Sequence, residues 1–186
     1  MDEYIHDYIG IKKLGQLNVK ELIYYCLAYP ASYSQNCGEG YPEDKTSTPK
    51  IVGYLASGGR GAGALSELQI KQLEKNRDSV ILVLNNYIKK NPDKIEDDYL
   101  YILKTLKSIE SIPTIIQTSS IENRSNYSYL LILMKDFEYK PWTKTSMYNT
   151  LYGEKSWEYG SRIEATVANI DLIKKLATDF YNQNKK

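Results

Sequence analysis

The stretch Asn126-Tyr127-Ser128-Tyr129-Leu130-Leu131-Ile132-Leu133-Met134-Lys135-Asp136-Phe137 holds six consecutive apolar or aromatic residues, Tyr129 to Met134, and leaves no polar stripe. A helix hydrophobic all round has to be covered on most sides. The run is far short of the roughly 20 residues a membrane-spanning helix needs, so its solvent is the rest of the protein. A short apolar run suits a buried strand as well as a buried helix. Here the Leu and Met content, a cap at Ser125 or Asn126 and the helical patterns on both sides favour a helix.

Upstream, Ser66 opens a helix expected to run to about Lys90, with Ile70, Leu73, Val80, Leu84 and Tyr87 on one line at spacings of three and four. Arg77 fills the gap in that line. An arginine there either snorkels along the helix or pairs with a carboxylate beneath the surface. Asn91-Pro92-Asp93 ends this helix. The next, from about Ile95 to Ile109, carries Tyr99, Ile102 and Leu106 inward and Asp97 and Asp98 near its positive amino end. Pro113 restarts a short helix to about Ser119. Downstream, Lys140-Pro141 breaks the chain, and Trp142 to Tyr152 reads as one short helix closed by Gly153. Glu154 to Glu164 reads as an exposed turn with some extended backbone. A last amphipathic helix is expected from about Thr166 to Tyr181, with a fraying tail beyond it.

Toward the amino end, Asn18 and Glu21 have capping-box spacing, Val19, Leu22, Ile23 and Cys26 form one face, and Pro30 stops the helix. Residues 1 to 17 read as a leading arm, and 31 to 49 as a long polar loop of a kind that is commonly functional. Ile51 to Leu55 suits a short strand without an obvious partner, or a helix start after Thr48-Pro49. Ser57 to Gly63 contains four glycines but lacks the Gly-Lys-Ser/Thr ending of a phosphate loop and the spacing of a dinucleotide fingerprint, so it reads as a hinge. These elements predict an all-α fold, stacked helical hairpins or an irregular multi-helix bundle, with at most a minor short strand pair. A single domain over 1–186 is expected: an arm, first helix and loop over 1–65 and a helical core over 66–186.

With 186 residues the chain is long enough to bury about 70% of its unfolded surface without metal or disulfide. Basic and acidic residues nearly cancel, 24 against 23, which removes the main electrostatic argument for a nucleic-acid or anionic-membrane partner. There are 18 tyrosines against 2 Phe and 2 Trp, so much of the aromatic packing is done by rings whose hydroxyls seek water or an acceptor. Compositional bias accounts for the excess as readily as a contact surface does. Met1 leads directly into Asp-Glu-Tyr-Ile-His without a signal-like run, the expectation for a cytoplasmic chain or for an exported one whose leader has been removed. Cys26 and Cys37 suit one short disulfide in the second case and two free thiols in the first. Cys26 lies on an apolar face, where burial as a small hydrophobe is the equal alternative.

One histidine, His6, cannot build a multi-histidine metal site, and two cysteines cannot make a four-cysteine zinc site. A well-supported Ser-His-Asp triad is also out of reach. Ser47-Thr48-Pro49-Lys50 matches Ser-x-x-Lys by chance, being in a loop with no Ser-Asp-Asn partner. Glu96, Asp97 and Asp98 lack the ligand spacing and central glycine of a calcium loop. No catalytic residue, metal or cofactor is singled out.

The positive signal runs from Tyr139 to Arg162, with both tryptophans, Tyr139, Tyr148, Tyr152 and Tyr159, and four basic residues against Glu154 and Glu158. Trp, Tyr and Arg dominate interface energetics because they bury area at low entropic cost and keep a polar handle. Trp157, Tyr159 and Arg162 are the leading candidate anchors; Trp142 is a weaker one, since it opens a short helix and has reason to pack inward. The plainer alternative is that these rings close one end of the helical stack. The leading functional expectation is a non-catalytic helical protein that binds a protein partner, for example an inhibitor or immunity-type protein. The alternatives are a carboxylate-dependent hydrolase with the 31–65 loop as a lid, and a carbohydrate-binding module.

Overall fold

The structure, a computed structural model, describes residues 11–29, 32–34, 48–55, 62–156 and 161–185. Among them are ten α-helices and four three-residue strands. The helices are α1 Ile11–Leu14, α2 Val19–Ala28, α3 Glu67–Lys75, α4 Arg77–Lys90, α5 Asp97–Thr105, α6 Ile112–Thr118, α7 Ser125–Asp136, α8 Lys140–Thr143, α9 Ser146–Tyr152 and α10 Val167–Asn184. The strands pair antiparallel in two separate two-stranded sheets, β1 Ser32–Ser34 with β3 Ala62–Ala64, and β2 Lys50–Val52 with β4 Arg162–Glu164. The fold is therefore mainly helical, as the periodicity predicts.

Helix α7 is its centre. Every residue from Asn126 to Met134 is buried, and α5, α6, α8, α10 and β2 pack around it. Such a helix draws its stability from packing and not from an amphipathic face. The expected cap is absent: Ser125 is already helical, and Arg124, which precedes it, makes no side-chain cap. Its Tyr129 hydroxyl donates to Ser108 O at 2.7 Å, which lets a polar tip sit in the core. Burial pushes that phenol well above its ordinary pKa.

The capping box at Asn18 forms as its spacing predicts, with the Asn18 side chain accepting from Lys20 N and Glu21 N and Glu21 accepting from Asn18 N. A second box at Ser66 does more than cap α3. Gln69 Oε1 accepts from Ser66 N at 2.8 Å, while Gln69 Nε2 donates to Tyr29 O at 2.8 Å, at the end of α2. One buried amide thus ties two helix ends together.

The single helix expected over 66–90 is two, α3 and α4, broken at Asn76, whose φ of −108° and ψ of 20° leave the helical region. Asn76 Nδ2 donates to Gln72 O at 2.9 Å, the local competition with helix backbone that asparagine favours. The break takes Arg77 off the core line. Its guanidinium donates from two nitrogens to Glu110, at 2.8 and 2.9 Å, and from Nε to Leu106 O at 3.3 Å. With the two side chains 33% and 55% exposed, this is a bidentate surface bridge, neither a snorkel nor a buried pair.

Ile51 has the partner its sequence does not reveal. β2 lies opposite β4 with Ile51 facing Ile163, both buried, and Lys50 Nζ sits 2.9 Å from Glu164 Oε1 on the solvent side. The stretch read as a hinge is partly strand, since Ala62–Ala64 pairs with Ser32–Ser34; residues 57–61 lie outside the described residues. Helix α10 runs to Asn184, beyond the point where fraying was expected. Cys26 is a buried free thiol, and Cys37 lies outside the described residues.

Candidate functional site

The described residues of the Tyr139 to Arg162 segment form α8 and α9, split at Lys144, and the first residue of β4. Pro141 stands in the first turn of α8, where its missing N–H costs nothing. Thr145 caps α9 by accepting from Tyr148 N at 3.0 Å. Gly153 ends α9, and a Cβ there would lie 2.5 Å from Asn149 O, so only glycine lets the chain turn away so closely.

These elements bring the aromatic residues together in two layers. The inner layer is Trp142, fully buried, with Tyr148 edge-on at 5.6 Å and Tyr152 edge-on at 6.5 Å between ring centroids. The Trp142 Nε1 is buried without a hydrogen-bond partner among the described residues. Tyr139 is also buried and packs on Phe180 of α10 at 5.2 Å. As placed, Trp142 is a core residue and not a surface anchor; the inward packing anticipated for it is what its helix delivers.

The outer layer is half-buried. Tyr148 and Tyr152 lie 5.2 Å apart, and Lys135 Nζ stands 4.5 Å from the centre of the Tyr152 ring. Tyr152 donates its hydroxyl to Gly53 O at 2.8 Å, fixing the end of β2 against α9. A Cβ on Gly53 would come within 2.8 Å of the Tyr152 ring, so glycine is what lets the two meet. Burial, then the nearby Asp136 and Tyr148, hold the Tyr152 phenol well above its ordinary pKa, so it keeps the proton it donates to Gly53 O. Arg162 is exposed on β4 opposite Val52. Trp157 and Tyr159 lie outside the described residues. Tyr152, Gly53 and Lys135 could not be linked from sequence, because 99 residues separate the first two.

Elsewhere among the described residues lie further concavities. One, of about 530 Å3, is lined by Leu17, Lys20, Glu21, Tyr24, Tyr25 and Tyr29 along α2. Another, of about 620 Å3, lies at the amino end of α7 and includes Asp93, Glu122, Asn123, Arg124 and Ser125. Among the described residues no cluster of three or more His, Cys, Asp or Glu is placed to hold a metal. No described helix is long and apolar enough to cross a membrane. The chain matches no protein-family model, no curated protein and no solved structure.

Proposed function

We propose that the chain is a non-catalytic helical binding protein and that the edge built from α9, β4 and the end of α7 receives a protein partner, in the manner of an inhibitor or immunity-type protein. The observation that carries the reading is the outer layer of that edge. Two partly buried tyrosines, Tyr148 and Tyr152, lie edge-on to the buried Trp142, Tyr152 is held through its hydroxyl to Gly53 O with Lys135 over its ring, and Arg162 is exposed on β4. Rings held in place before binding lose little entropy on contact, which is the property of interface anchors. Trp157 and Tyr159, the other anchors read from the sequence, belong to the same segment of chain.

The test is affinity capture from the native source with the immobilised chain, run beside a Lys135→Glu, Arg162→Glu double variant. A reproducible partner held by the wild-type chain and lost by the variant, with circular dichroism unchanged, supports the proposal. A partner retained equally by both overturns the placement.

A further inference from the structure

We draw no further inference here: the strongest candidate, the cleft of about 620 Å3 at the amino end of α7 that holds Asp93, Glu122 and Arg124, rests on a helix terminus and a pair of carboxylates, and nothing in the structure directs into it the buried amide of Asn126, which has no hydrogen-bond partner among the described residues.

Discussion

Trp142 separates the inner layer of the aromatic edge from the outer one, and its replacement has a magnitude that can be worked from its surroundings. The side chain is fully buried and meets Tyr148 and Tyr152 edge-on. Truncating a buried Trp to Ala costs about 3 to 5 kcal/mol, and edge-on ring pairs place a case toward the upper end. Against this, the variant removes a buried indole N–H that has no hydrogen-bond partner among the described residues, which returns about 1 to 3 kcal/mol. The net expectation for Trp142→Ala is a loss of about 3 kcal/mol, read as a lowered urea midpoint at unchanged slope. Trp142→Phe keeps an aromatic ring and deletes the orphan donor, so it should fall within about 1 kcal/mol of wild type. A Trp142→Ala loss under about 1 kcal/mol would refute the buried placement, and a Phe variant as damaged as the Ala variant would refute the accounting for Nε1.

The Arg77–Glu110 bridge is half-exposed, so Arg77→Ala should cost about 1 kcal/mol in urea melts, well below the cost of orphaning a buried charge. Its hydrogen bond from Arg77 holds the Glu110 carboxyl below its ordinary range, so the bridge favours folding above the unfolded value of about 4.3 and that contribution is lost as pH falls through the folded one. Wild type should therefore lose stability more steeply than Glu110→Gln below about pH 5; parallel pH curves would rule this out. Gln69→Ala removes the hydrogen bonds to Ser66 N and Tyr29 O and should cost about 2 kcal/mol, with a loss below about 0.5 showing that water replaces the amide. Burial pushes the Cys26 thiol up to about 12, so a thiol-reactive disulfide at pH 8 should leave Cys26 unmodified in the native protein and label it in urea; rapid native labelling, located by peptide mass mapping, would contradict its burial.

Legibility in the sequence follows how local the cause is. The buried helix is legible because six successive apolar or aromatic residues, Tyr129 to Met134, need no partner to be recognised, and the Asn18 cap because its two partners are three residues apart. The break at Asn76 is not, since the apolar line continues through it with only Arg77 as an irregularity. That irregularity was the signal: a cation sits in the gap because the helix turns there toward Glu110. The pairing of β2 with β4 joins residues 114 apart at Lys50 and Glu164 and leaves nothing in either segment to announce it. At the candidate site the aromatic composition was legible and its layering was not. Trp142 and Tyr148 look alike in a list of aromatic residues, and only the packing of α8 against α7 and α9 decides that one is core and the other partly surface.

The most direct test of the account is a calorimetric binding titration of the captured partner against Arg162→Glu, with a thermal melt of the same variant. Arg162 is exposed on β4, and in a variant that the melt shows to be folded, affinity should fall by about 2 kcal/mol or roughly 30-fold, as loss of an interface anchor does. Unchanged affinity in a fully folded variant would contradict the claim that this edge is the contact surface.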